Sequence, residues 1–233
     1  MNIAYVLTPI EFGGSERVSL NFIKAYDRTQ FKITPVLLLR PWEPKPFFAR
    51  ELDKLGIEYL TIPVAIQPLE VGIDRFRILR CYRILFSFLR EKKFDLIHTN
   101  GYFADILGVP LAKCLRIPHV ATCHGFIDND QNLKFYNRLD MFFLRFSRRV
   151  ICVADEIKEK LIQSGISAHK ISTLINSVSV PECSSDEQLK IRESTRKNWG
   201  GGQTGFVLGY TGRLSEEKGL RFLFEAVSQL VEK

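Results

Sequence analysis

Ile3-Ala4-Tyr5-Val6-Leu7 runs into Thr8-Pro9-Ile10-Glu11-Phe12-Gly13-Gly14, and then into Ser15-Glu16-Arg17-Val18-Ser19-Leu20-Asn21-Phe22-Ile23-Lys24-Ala25-Tyr26. An apolar run of strand length, a loop closing on two glycines and a segment of helical spacing make a strand, a turn and a helix in that order. The same unit recurs along the chain. Further candidate strands lie at Ile33 to Leu39, Glu58 to Ile62, Leu96 to Thr99, His119 to Cys123, Val150 to Val153 and Ile171 to Ile175. Candidate helices alternate with them at Ser15 to Tyr26, Phe47 to Leu55, Asp74 to Lys93, Tyr102 to Leu115, Leu133 to Ser147 and Glu156 to Gln163. Strands separated by helix-length segments pair in parallel through right-handed crossovers, so the expected fold is α/β with a doubly wound parallel sheet. Several runs are apolar without alternation, as strands covered on both faces are. Ligands of such sheets bind at the carboxyl ends of the strands, near the reversal of strand order. That directs attention to Thr8 to Gly14, Arg40 to Pro46, Asn100-Gly101, His124-Gly125, Ala154-Asp155 and Asn176-Ser177.

The 233 residues hold 33 Lys plus Arg against 26 Asp plus Glu, a net charge of +7, with 45% hydrophobic and 25% charged residues. This balance is globular and excludes disorder, collagen and a disulfide mini-protein. Five cysteines, odd in number and without a C-x-x-C pair, argue against a disulfide framework and for a reducing compartment. No basic n-region opens the chain, and no apolar run approaches the roughly 18 residues that cross a bilayer, so the expected location is the cytoplasm. After Val180 the character changes. The expected organisation is a first domain over residues 1–180, a connector over 181–204 with a charged helix around Asp186 to Lys197, and the start of a second α/β domain over 205–233. That start reads as strand Phe206 to Tyr210, loop Thr211 to Gly219 and helix Leu220 to Val231, an incomplete unit.

Gly13 and Gly14 before a helix start let a ligand approach the backbone, where the free N–H groups of the first turn favour a phosphate. The plain alternative is a tight turn with Ser15 as N-cap. A dinucleotide fingerprint is absent: there is no G-x-G-x-x-G, and the second strand ends in Arg40 where an acidic ribose ligand would stand. Arg213 and Lys218 lie in the loop after the last candidate strand, where a guanidinium fork and a point charge could clamp a diphosphate, or where they could be ordinary solvated charges. His124, just past its strand and followed by Gly125, is placed to face a cleft, whereas His119, inside its strand, reads as a packing residue. His98 stays open between the two. A metal site from His119, Cys123 and His124 is disfavoured, because residues 123 and 124 point to opposite sheet faces.

Taken in order, Gly13-Gly14-Ser15-Glu16-Arg17, Asp95-Leu96-Ile97-His98-Thr99-Asn100, Thr122-Cys123-His124-Gly125, Asn176-Ser177-Val178 and Gly212-Arg213-Leu214-Ser215-Glu216-Glu217-Lys218-Gly219 resemble the signature of family 4 glycosyltransferases. These are retaining enzymes of the GT-B fold, with an acceptor-side domain followed by a nucleotide-side domain. The resemblance implies transfer from a UDP- or GDP-sugar to a lipid-linked or saccharide acceptor, with no cofactor and no metal. It implies that His124 is the catalytic residue at the transferring sugar. It further implies that Gly13, Gly14, Arg213 and Lys218 hold the donor diphosphate, and that His98, Asn100, Gly125 and Asn176 contact acceptor or sugar. Two fixed cations and a helix N-terminus can stabilise a departing diphosphate without a metal. Asn100 stands where many relatives have a second histidine and Ala154 where serine is frequent. The family's Glu-x7-Glu region is expected deeper in the second domain than residue 233. A second chain supplying that half is therefore a possible partner, and the rival reading is a non-catalytic acceptor- or partner-binding half.

Within Asp74 to Lys93, Ile78, Tyr82, Leu85 and Leu89 share one helical face while Arg77, Arg80, Arg83 and Arg90 share the other, with Phe76 and Leu79 among the arginines. Residues 134–149 mix Arg138, Arg145, Arg148 and Arg149 with Phe135, Tyr136, Phe142, Phe143 and Phe146. Both segments suit peripheral contact with an anionic membrane on its cytoplasmic face, or equally a solvated basic helix with snorkelling stems. Nucleic acid is not expected as a partner, since no recognised binding module is visible.

Overall fold

The computed structural model describes residues 1–9, 13–40, 43–64, 77–126, 131–178, 183–200, 206–212, 214 and 218–231, and for residues 77, 78, 132 and 231 the backbone alone. Phe12, Pro41, Trp42, Asp74, Phe76 and Arg213 lie outside the described residues, as do residues 127–130. The chain divides into two compact units, Met1–Ser179 and Val180–Lys233.

The first unit is a seven-stranded sheet. Its strands are β1 (Asn2–Leu7), β2 (Lys32–Leu39), β3 (Leu60–Pro63), β4 (Leu96–Asn100), β5 (His119–Cys123), β6 (Arg149–Cys152) and β7 (Ile171–Thr173). They stand in the order β3-β2-β1-β4-β5-β6-β7, with every pairing parallel. Strand order therefore reverses between β1 and β4, where Leu7 pairs with Asn100 at the carboxyl ends. Helices α1 (Gly14–Ala25), α2 (Phe47–Lys54), α3 (Arg77–Lys92), α4 (Tyr102–Leu115), α5 (Gln131–Leu144) and α6 (Asp155–Gln163) make the crossovers.

The two-residue strand period sorts β1 between two cores. Ile3, Tyr5 and Leu7 pack with Leu20 and Ile23 of α1 and Phe48 and Leu52 of α2. Ala4 and Val6 pack on the other face with Cys81, Leu85 and Leu89 of α3 and Leu107 and Leu111 of α4. A third core joins β5, β6 and β7 to Leu144 of α5 and Leu161 of α6. The buried face of α3 is the one its helical wheel assigns, with Leu85 and Leu89 inside and Arg83 and Arg90 exposed.

Some boundaries differ from expectation. β3 begins at Leu60, two residues late, because its ladder with β2 starts at the Val36–Leu60 pair. β7 stops at Thr173, opposite Cys152, where its only neighbour β6 also ends. The α1 N-cap is Gly13, and Ser15 lies inside the helix, its hydroxyl on Glu16. In the second unit, α7 (Ser185–Asn198) and α8 (Leu220–Val231) form, but the expected strand at residues 206–210 does not. A strand exists only by pairing, and none of the described residues pairs with that segment.

Candidate functional site

The reversal of strand order opens a crevice at the carboxyl ends of β1, β4 and β5, and a cavity of about 220 Å³ occupies it. Thr8 follows β1 and Asn100 ends β4. His124 and Gly125 follow β5, while Ser15, Glu16 and Ser19 of α1 form the opposite wall, and Asp105 of α4 with Asn137 and Asp140 of α5 line the rest. Two glycines turn the chain there with backbone angles that side chains disfavour: Gly101, the α4 N-cap, has φ 92°, and Gly125 has φ 120°.

Asn100 is buried, and its amide donates to the Tyr5 hydroxyl at 2.7 Å and to Ser19 Oγ at 2.8 Å. Tyr5 in turn donates to Ser19 at 2.9 Å, and Ser19 to the Ser15 carbonyl at 2.9 Å, which ties α1 to the sheet. The Glu16 carboxylate folds back on the Gly13 N–H at 3.0 Å. None of the described residues comes within 4 Å of where a Gly14 Cβ would sit, so among them the backbone there stands open.

Three buried polar atoms without a hydrogen-bond partner among the described residues belong to residues of this one cavity wall: Thr8 Oγ1, His124 Nε2 and Asp140 Oδ1. Buried polar groups are normally paired, so a cluster of unpaired ones marks a place where a ligand or water supplies the partners. Burial pushes the His124 pKa down, with the Glu16 charge opposing it, and the imidazole is neutral near pH 7. It then offers one donor and one acceptor.

Beneath the cavity runs a buried polar chain. Ser147 Oγ is 3.0 Å from His119 Nδ1, His119 Nε2 is 2.9 Å from Thr99 Oγ1, and the Thr99 hydroxyl donates to Asp105 Oδ1. Burial drives Asp105 well above the usual carboxylate range, the neighbouring Asp140 charge adding to it, and burial raises Asp140 to about 7. Burial, helped by the His98 charge, also lowers His119 to about 3, so it stays neutral. More than one proton arrangement satisfies the chain. With Asp105 ionised, His119 Nε2–H donates to Thr99 and Nδ1 accepts from Ser147. With Asp105 protonated, its proton is donated to the Asp140 carboxylate and Oδ1 still accepts from Thr99, or the proton faces Thr99, in which case the bonds reverse and Nδ1–H donates to Ser147. His119 is thus the satisfied interior residue that its strand position suggests.

A second, larger cavity of about 620 Å³ meets the first at Asn100 and His124 and takes in His98, Phe22, Thr122 and Asn176. His98 Nε2 lies 2.8 Å from Thr122 Oγ1, and its ring stands edge-on to Tyr5 with centroids 4.9 Å apart. Burial, with the His124 charge in the same sense, lowers its pKa to about 4. Asn176 is exposed on this cavity's rim. The structure therefore brings Gly13, Gly14, His98, Asn100, His124, Gly125 and Asn176 to one end of the sheet. Lys218 is exposed in the second unit, and Arg213 lies outside the described residues. Cys123 is held as a thiol, burial pushing it up to about 12, and among the described residues no three His, Cys, Asp or Glu side chains are grouped to hold a metal ion.

The sequence model of Glycosyltransferase Family 4 matches residues 12–180. The chain belongs to glycosyltransferase family 4. It is 25% identical over 238 residues to the UDP-Gal:alpha-D-GlcNAc-diphosphoundecaprenol alpha-1,3-galactosyltransferase of Escherichia coli, covering 100% of this chain and 58% of that protein. The crystal structure of Anabaena HepE in complex with UDP matches with a TM-score of 0.76 at 21% identity, covering 98% of this chain and 58% of that one. Its complex with UDP-glucose gives 0.75 at 22% identity, covering 98% and 57%. The chain therefore spans under two thirds of the length of these relatives. The likeness to the solved structures fixes the fold, a GT-B N-terminal Rossmann-like domain.

Sequence reasoning missed several cavity residues of this family 4 domain, above all Asp105 and Asp140. One signal was available. Asp105 interrupts the apolar run of Ala104, Ile106, Leu107, Val109 and Leu111 in α4, and Asp140 sits between Leu139 and Met141-Phe142-Phe143 in α5. An acid on a face that helical spacing assigns to the core has to be paired or neutral.

Proposed function

We propose that this chain forms the acceptor side, and the beginning of the nucleotide side, of a glycosyltransferase that moves a hexose-type residue from a nucleotide sugar to a lipid-linked or saccharide acceptor with retention. The observation that carries the reading is the crevice itself, where unpaired Thr8, His124 and Asp140 atoms converge on one cavity at the reversal of strand order. A saccharide is a dense set of hydroxyl donors and acceptors, the complement such atoms require. The uridine-diphosphate complexes of HepE and the diphosphoundecaprenol-linked acceptor in the name of the Escherichia coli relative support a UDP-sugar donor and a lipid-linked acceptor.

In the proposed reaction the neutral His124 imidazole holds a hydroxyl of the transferring sugar, and Asn100, fixed by Tyr5 and Ser19, shapes the floor beneath it. The negative charge gained by the departing diphosphate is met at the α1 N-terminus by the Gly14 backbone and, once the Glu16 carboxylate leaves its N–H, by that of Gly13, together with Arg213 and Lys218. No cofactor or metal is required by this set. Residues 1–180 act as the acceptor-side domain, 181–204 as connector and 205–233 as the start of the nucleotide-binding domain.

Among the described residues no helix is long and apolar enough to cross a membrane. Leu79 and Ile84 of α3 and Phe135, Phe142 and Phe146 of α5 or just after it are exposed beside Arg83, Arg90, Arg138 and Arg145, which supports peripheral attachment to a cytoplasmic membrane face.

The test is titration of the 233-residue chain with a short-chain prenyl-diphosphate saccharide, followed by saturation-transfer NMR. Binding of this acceptor is expected in the wild type, and a UDP-hexose titrated in parallel is expected to bind about tenfold or more weakly to His124→Ala, the cost of losing one buried polar partner at the transferring sugar. Absence of binding to any saccharide or saccharide diphosphate defeats the reading.

A further inference from the structure

At the opposite end of the sheet lies a groove that plays no part in the cleft. It is built where β5 and β6 begin, where α4 ends and just before β7, with a cavity of about 610 Å³. Lys113, Arg116, Arg148, Arg149 and Lys170 line it, and no carboxylate among the described residues does. None of the five lies within ion-pair distance of an acidic side chain among the described residues. Lys113 and Arg116 stand at the α4 C-terminus, where the helix dipole favours cations. That does not account for Arg148, Arg149 and Lys170.

Several of these side chains are held in place. The Arg149 guanidinium donates to the His169 carbonyl, the Lys170 ammonium to the Arg145 carbonyl at 2.9 Å, and the Lys113 ammonium sits 4.0 Å from the centre of the Phe146 ring. The groove wall also takes in the hydrogen-bonded, buried His119 and Ser147. Five like charges around one concavity, three of them held in place, repel one another, and a multiply charged anion relieves that repulsion. Guanidinium forks and ammonium groups without a counter-charge match phosphate oxygens in geometry and sign.

We propose that this groove is a binding site for a phosphate group, presented either on an acidic phospholipid headgroup or as a free diphosphate. It is separate from the cleft, and its test does not depend on glycosyl transfer.

The 233-residue chain is titrated with inorganic pyrophosphate and, in parallel, with phosphatidylglycerol and phosphatidylcholine vesicles. Lys113→Gln with Arg148→Gln removes two groove cations, and Lys190→Gln with Arg192→Gln removes the same charge from the exposed surface of α7. At roughly fivefold per cation near an anionic surface, the groove pair weakens binding by about 25-fold while the α7 pair changes it little. Unchanged near-ultraviolet circular dichroism establishes that each variant is folded. Groove-dependent binding of pyrophosphate assigns a free phosphate source, and groove-dependent binding of phosphatidylglycerol vesicles alone assigns a headgroup. Equal weakening by both pairs, no binding of either probe, or tighter binding of duplex DNA than of both overturns the proposal.

Discussion

Asp140 shows how burial sets the behaviour of a single residue. Its folded pKa of about 7 lies above the usual 3.8, so the folded state keeps a proton that the unfolded chain releases between those values. Below pH about 4 both states are protonated and no penalty exists; as pH rises towards 7 folding becomes less favourable, and above 7 the penalty is constant. The histidines act in the opposite sense. His98, lowered to about 4, and His119, lowered to about 3, are neutral when folded and cost stability as pH falls below about 6.5, where the unfolded imidazoles charge. Asp140→Asn replaces the protonated acid by a near-isostere that cannot ionise. The thermal midpoint of the variant relative to wild type is therefore expected to be higher at pH 8 than at pH 5, read by circular dichroism. An offset equal at the two pH values would show that Asp140 is already ionised at pH 5 in the folded protein, so that burial does not raise its pKa.

Among the elements, α4 is the one whose packing leaves least room. A Cβ added at Gly108 would stand 2.4 Å from Thr99 Cγ2, closer than any real contact. Gly108→Ala gains helix propensity but forces β4 and α4 apart, for a net loss of about 1–2 kcal/mol in unfolding free energy. The same change in a Thr99→Ser background, which removes the clashing methyl and keeps the hydroxyl, is expected to cost less; equal losses in chemical denaturation would place the strain elsewhere. The starts of α4 and α8 were legible from the glycines before them, Gly101 and Gly219, even though Gly108 and Pro110 stand inside α4. β3 and β7 were misjudged at their ends, since where a strand stops depends on how far its neighbour runs, which residues 58–62 and 171–175 do not encode alone. At the site, His124 and Asn100 could be found because a strand's carboxyl end is a position readable from order along the chain. Asp105 and Asp140 could not be placed as a pair, because their contact joins two helices whose facing depends on the whole sheet.

Over the whole molecule the two units differ in kind. Met1–Ser179 has three cores sharing one sheet, whereas in Val180–Lys233 large apolar side chains such as Phe206, Phe222, Phe224 and Leu230 are exposed, Phe206 at 93%. A chain ending at Ser179 is accordingly expected to melt at the temperature of the longer one and to bind less of a hydrophobic dye; a lowered midpoint would mean that the second unit supports the first. The buried line from Ser147 through His119, Thr99 and Asp105 to Asp140 carries a different kind of consequence. Each member completes the valence of the next, so a lone replacement strands its neighbour in the dry interior, whereas replacing the set together leaves no orphan. In a diverging lineage such positions would be inherited as a block, exchanged jointly or held fixed, and a single departure among them would be tolerated only where water reaches the gap.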